Sequence, residues 1–168
     1  TPEGYVERVM GRKEMGLTFI KFDITPRVLV DVPGALVGTM TEHEYPMGRR
    51  SQAPGSGTGT KLTDKGIAYM TEVVAAVREA VGWEISLCID HYGHGYLTAD
   101  EVIRLGQAWE PYGLGFMEDP MQSWDVEGHR RVTEAVRVPV AAGEELYLWE
   151  GFRPFIEAHA GDIIHPDL

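Results

Sequence analysis

Apolar residues in this chain switch repeatedly between two spacings, and the switching predicts an architecture. Tyr5, Val6, Val9 and Met10 share one face of a helix over 2–14, with Thr1 as N-cap, Pro2 in the first helical position and Gly16 as the stop. Residues 17–24 read as a strand. Ile67, Met70, Val74, Val77 and Val81 recur at helical spacing behind a Thr63 or Asp64 cap, and Gly82 ends that helix. A strand over 84–90 follows. Thr98 and Glu101 form a capping box ahead of a helix striped by Val102, Leu105 and Trp109. The same alternation continues with a strand over 114–118, a helix capped by Asp125 with Val132 and Val136 inward, and a strand over 138–144. Trp149, Phe152, Phe155 and Ile156 mark a last helix, which Pro154 is placed to kink or shorten and Gly161 stops. Ile163 and Ile164 begin a final strand.

Strand and helix in regular alternation predict an α/β fold with a parallel sheet and right-handed crossovers. Two closures compete: an open doubly wound sheet, or part of a (β/α)8 barrel. No Gly-rich dinucleotide fingerprint follows any of the strands, which weakens the first. Residues 25–62 interrupt the pattern with a Gly- and Pro-rich stretch. A loop of that length within a compact domain is expected to be a lid, a binding loop or disordered.

The strand ends carry the chemistry. Asp90, Glu118 and Glu144 each close a strand, at intervals of about 25 residues, the length of one βα unit. Side by side in a parallel sheet, all three carboxylates open into one mouth, where they repel unless a cation is present. Hard oxygen ligands favour Mg²⁺. Acids at consecutive strand ends also favour the barrel, whose chemistry collects on that face. Taken singly, Glu118-Asp119 and Glu144-Glu145 are helix-entry acids that suit the N-terminal dipole. In each pair the two side chains face opposite sides of an extended backbone, so one of the two is expected in the mouth. Asp167 repeats the position once more.

Lys21 and Asp23 alternate along the first strand and point the same way, so Lys21 is either a cation at the mouth or half of a structural ion pair. His91, Tyr92 and His94 beside Asp90 are candidates for general acid or base work, or else polar loop residues. Zn²⁺ ligation by the histidines is an alternative that the neighbouring carboxylates disfavour. Within the long loop, His43, Arg49 and Arg50 are candidates for binding a substrate carboxylate, against the plainer reading of solvated loop charge. His129 and His159 lie on helices with no chemical role expected.

The chain has 168 residues, with 15 Lys and Arg against 26 Asp and Glu, a formal net charge of −11. That balance argues against nucleic acid or an anionic membrane as partner, though not against a small anion in a local pocket. Cys88 is the single cysteine and cannot form an internal disulfide, and no apolar run reaches membrane-span length. A cytoplasmic protein is the expectation.

Five segments together, Ile20-Lys21-Phe22-Asp23, Cys88-Ile89-Asp90, Met117-Glu118-Asp119-Pro120, Ala142-Gly143-Glu144 and His165-Pro166-Asp167-Leu168, resemble the enolase superfamily. Within it they are most similar to the mandelate racemase and acid-sugar dehydratase branch. The resemblance covers essentially the whole chain and implies a partial (β/α)7β TIM-like barrel. Residues 1–168 would run from the first barrel helix to the sixth strand, lacking the N-terminal α+β capping domain, the first strand and the last two strands. It implies Mg²⁺ on Asp90, Glu118 and Glu144, and Lys21 as the family's second-strand lysine. Many racemases of the group carry another lysine where this chain has Asp23, as several dehydratases do.

The resemblance also implies that Asp167 belongs to a His–Asp dyad whose His lies on strand seven. The general acid stays open among Tyr92, His91 and His94. The implied activity is Mg²⁺-dependent dehydration of a sugar acid: the proton α to the carboxylate is abstracted, the metal stabilises an enediolate and the β-hydroxyl departs. Alternatives are a racemase or epimerase of a 2-hydroxy acid, a catalytically silent metal- or ligand-binding homologue, and an open α/β regulatory domain. The implied partner is a small carboxylate substrate, and the intact form is expected to be a homo-oligomer. The 168-residue chain alone is expected to be inactive, because the dyad His is not in it.

Overall fold

The computed structural model describes residues 1–37, 61–90 and 97–167. Helix α1 (Pro2–Glu14) is capped by Thr1, and strand β1 (Phe19–Asp23) follows it. Residues 25–37 and 61–62, expected to be irregular, hold a 3₁₀ turn (Pro26–Leu29) and a two-stranded antiparallel ribbon of β2 (Leu36–Val37) and β3 (Lys61–Leu62). Then come α2 (Asp64–Val81), β4 (Ser86–Asp90), α3 (Ala99–Trp109), β5 (Met117–Glu118), α4 (Val126–Ala135), β6 (Val140–Ala142), α5 (Leu148–Glu157) and β7 (Ile163–Ile164). The predicted strands are longer than the observed ones because Glu84 and Glu144 lie in turns and Ile85, Gly115 and Val138 in bends. Helix α5 runs through Pro154 to Glu157.

The main sheet has five strands in the order β1-β4-β5-β6-β7, every neighbouring pair parallel. The order never reverses, so each βα unit is laid beside the last in one direction. A doubly wound sheet needs a reversal to create its switch point. Progressive winding is what curls a sheet toward a barrel, and the fold is a partial TIM-like barrel. Helices α1 to α4 pack on one another in sequence around the outside.

The core follows the apolar pattern. Met70, Val73, Val74, Val77 and Val81 of α2 are all fully buried, as are Leu87, Cys88 and Ile89 of β4 and Met117 and Val140 next to them. Each large apolar side chain buried this way contributes about 1.5–3 kcal/mol. Close packing uses glycine where a helix nears its neighbour: a Cβ on Gly106 would stand 2.8 Å from Val136 Cγ1. The capping box at α3 does more than close a helix. Glu101 accepts from Thr98 N and Oγ1 at 2.9 and 2.8 Å, and its other oxygen accepts from Leu62 N at 2.7 Å, tying the ribbon to the barrel. At the N-terminal ends of the strands, Arg78 is buried and donates to the carbonyls of Tyr112, Gly82, Ile85 and Gly113 at 2.7–3.1 Å. Among the described residues, no helix is long and apolar enough to cross a membrane.

His129 of α4 is fully buried, its ring edge-on to Phe155 at 4.9 Å between centroids, with Nδ1 3.1 Å from the Asp125 carbonyl. Nε2 has no hydrogen-bond partner among the described residues. Burial pushes the imidazole down from 6.5 to about 4, so the folded protein holds it neutral. The unfolded chain therefore binds the extra proton first. The stabilisation is complete above pH 6.5 and is lost as pH falls toward 4, by about 3 kcal/mol in all. Urea unfolding of His129→Leu should show this segment of the pH dependence flattened; an unchanged slope would contradict it.

Candidate metal centre

The C-terminal ends of β1, β4, β5 and β6 converge on one cluster. Register explains much of it. Asp23 lies opposite Asp90, Ile89 opposite Met117, and Glu118 opposite Ala141, which in turn faces Ile163. Period-two alternation then puts Lys21, Asp90 and Glu118 on one face of the sheet. Lys21 Nζ sits between two carboxylates, 2.7 Å from Asp90 Oδ2 and 2.5 Å from Glu118 Oε2. Both acids are buried, Glu118 completely. Burial alone would lower the lysine's pKa, but the hydrogen bonds and charges of Asp90 and Glu118 outweigh it and hold the ammonium above its ordinary value.

Carboxylate oxygens of Glu118, Asp119 and Glu144 lie within 4.8 Å of one another. Alternation alone would send Asp119 to the far face, and Glu144 is also out of phase with Ala141. Two breaks in the extended backbone turn them in. Asp119 adopts a left-handed conformation with φ 42°, tolerable for Asp because its short side chain bonds locally. Gly143 has φ 144°, and a Cβ there would meet the His165 carbonyl oxygen at 3.0 Å. The two turns are linked: Gly143 N donates to Asp119 Oδ1 at 3.3 Å, and Asp119 N donates to the Ala141 carbonyl at 2.9 Å. The expectation that one acid of Glu118-Asp119 enters the mouth is thus corrected, since both contribute to the cluster. Glu145 accepts from Ser123 Oγ at 2.9 Å.

The donor set fits a hard divalent cation. Its side chains are carboxylates, and Glu118 Oε1, though fully enclosed, receives no aligned hydrogen bond among the described residues. Cys88 is buried, and burial raises its thiol pKa, so it supplies no soft thiolate.

The expected site residues divide into three groups. Lys21 bridges Asp90 and Glu118, and Glu144 lies near Glu118 in the carboxylate group, which includes Asp119 but not Asp90. Asp167 is exposed beyond β7. His91, Tyr92, His94, His43, Arg49 and Arg50 lie outside the described residues. Two cluster residues carry no expected role in the sequence pattern: Asp119, and His165, whose Nδ1 lies 2.6 Å from Glu118 Oε1. Alternation from Ile163 places His165 on the Glu118 face, a signal present in the sequence but masked by Asp167 two positions on.

A family model described as "Enolase C-terminal domain-like" matches residues 5–168. The chain is 31% identical over 156 residues to a D-xylonate dehydratase from Haloferax volcanii, covering 93% of this chain and 32% of that protein. Its fold superposes with a TM-score of 0.74 at 26% identity on a mandelate racemase/muconate lactonizing enzyme-like protein from Rubrobacter xylanophilus, covering 99% of this chain and 36% of that one. An enolase from Bradyrhizobium complexed with magnesium and mandelic acid matches with a TM-score of 0.57 at 30% identity, over 60% of this chain and 27% of that chain. The chain spans about a third of the length of its curated relative.

Removing the shared ammonium should cost stability before any question of activity. Lys21→Met leaves Asp90 and Glu118 facing each other and should lower the unfolding free energy of the metal-free protein by about 1–3 kcal/mol, the half-open lysine moderating the loss. Denaturant melts of both proteins check this, and coincident midpoints would refute it.

Proposed function

The chain belongs to the enolase C-terminal-domain-like family, and from that premise we propose that it carries the metal-binding part of a Mg²⁺-dependent sugar-acid dehydratase. The observation that supports this most is Lys21 held between Asp90 and Glu118 at the edge of a carboxylate cluster on consecutive strand ends. The sugar-acid substrate class rests on relatives named as D-xylonate, D-gluconate and arabinonate dehydratases.

Asp90, Glu118 and Glu144 would hold the ion, with Asp119 fixing the turn that presents Glu144. Bound there, Mg²⁺ supplies Lewis-acid stabilisation of negative charge on the substrate carboxylate. Lys21 adds a fixed cation. Its Nζ, on the same face as Asp90 and Glu118, is placed to face the developing charge as a donor. The α-proton passes to the His partner of Asp167, and the β-hydroxyl leaves as water after protonation by Tyr92, His91 or His94. The enol product then becomes a 2-keto-3-deoxy acid. Arg49, Arg50 and His43 would contribute to binding the substrate carboxylate.

Two outcomes are expected from the intact protein. Calorimetry should show Mg²⁺ binding that Glu144→Gln weakens at least tenfold; unchanged affinity would remove Glu144 from the site. A panel of sugar acids should yield 2-keto-3-deoxy products. Solvent deuterium incorporation without water loss would point instead to racemisation, and metal binding with no turnover to a silent binding protein.

A further inference from the structure

Glu118 is fully enclosed, and its two oxygens face different strands. Oε2 accepts from Lys21 Nζ of β1 at 2.5 Å. Oε1 lies 2.6 Å from Nδ1 of His165, which follows β7 on the opposite side. The approach is oblique: a close contact, not an aligned hydrogen bond. A carboxylate held at one oxygen pivots about that point, whereas one held at both keeps a single rotamer.

The His165 ring is itself well placed. Its backbone N–H donates to the Ala142 carbonyl at 3.0 Å, and its carbonyl packs closely on Gly143, 3.0 Å from where a Cβ there would stand. The β6–β7 pairing therefore sets where the imidazole begins. The side chain is about half exposed, which leaves the ring free to rotate its Nδ1–H onto Oε1.

We propose that His165 is a positioning residue for the metal centre, its Nδ1–H capping Glu118 Oε1 and fixing that carboxylate for a divalent cation. The proposal rests on the Mg²⁺ reading of the site. Each carboxylate oxygen has two lone pairs, so one N–H donor leaves the other lone pair for a metal. Partners that orient a ligand in this way typically change metal affinity by about 10–100-fold when removed. Lys21 and His165 would then hold Glu118 from β1 and β7, making its geometry depend on strands at both ends of the sheet.

The test is Mg²⁺ affinity by calorimetry in the intact protein, for the unsubstituted form, His165→Ala and His165→Gln. His165→Ala should weaken binding about tenfold or more, and His165→Gln, which restores an N–H donor of similar reach, should recover most of it. Unchanged affinity in His165→Ala overturns the proposal. So does equal loss in both variants, because a packing role would not be rescued by a donor. If His165→Ala fails to fold, His165→Gln decides: near-normal affinity supports the proposal and a full loss overturns it. Absence of Mg²⁺ binding by the unsubstituted protein would instead remove the metal reading, and this inference with it.

Discussion

A buried carboxylate cluster cannot form without positive charge, and here Lys21 supplies some of it. Two like charges about 4 Å apart at an effective dielectric constant near 20 repel by about 4 kcal/mol, and the cluster brings Asp90, Glu118, Asp119 and Glu144 to neighbouring strand ends. The ammonium between Asp90 and Glu118 makes that concentration of charge tolerable. The arrangement would be expensive as a purely structural device, since buried ion pairs rarely stabilise more than apolar packing of the same volume. Its retention at the C-terminal edge of a parallel sheet is understandable if the cluster has a ligand to hold.

The two ends of the sheet have different tasks. At the N-terminal end, Arg78 is satisfied by four backbone carbonyls and ties α2 to the loops that enter β4 and β5. At the C-terminal end, regular alternation gives way to positive-φ residues that turn Asp119 and Glu144 toward Glu118. At Asp119 such backbone strain costs of order 1–3 kcal/mol, whereas Gly143 adopts its positive φ without it, and strain of this kind collects where geometry matters more than stability. The well-packed core of α2, β4 and α3 absorbs that cost.

Much of this was legible in the residues. The helices could be placed closely because caps and apolar stripes are local signals: Thr1 and Pro2, Thr63 and Gly82, and the Thr98–Glu101 box all act within a few positions. The parallel sheet followed from the spacing of the βα units, and acids at consecutive strand ends favoured the barrel closure over a doubly wound one. Asp90, Glu118, Glu144 and Lys21 could be singled out because they recur at equivalent strand ends. Asp119 was harder, since its inward turn depends on a left-handed backbone that alternation does not anticipate. His165 was harder still, because its neighbour Glu118 is remote in sequence and the two meet only once β5, β6 and β7 are in register. The ribbon of β2 and β3 was missed because its strands are two residues each, too short to show a period.

The most direct test of the central claim is to locate a bound ion. Crystals of the intact protein soaked in Mn²⁺, a Mg²⁺ surrogate visible by anomalous scattering, should show one peak within coordination distance of oxygens of Asp90, Glu118 and Glu144. A peak elsewhere on the molecule, or none at saturating Mn²⁺, would contradict the account.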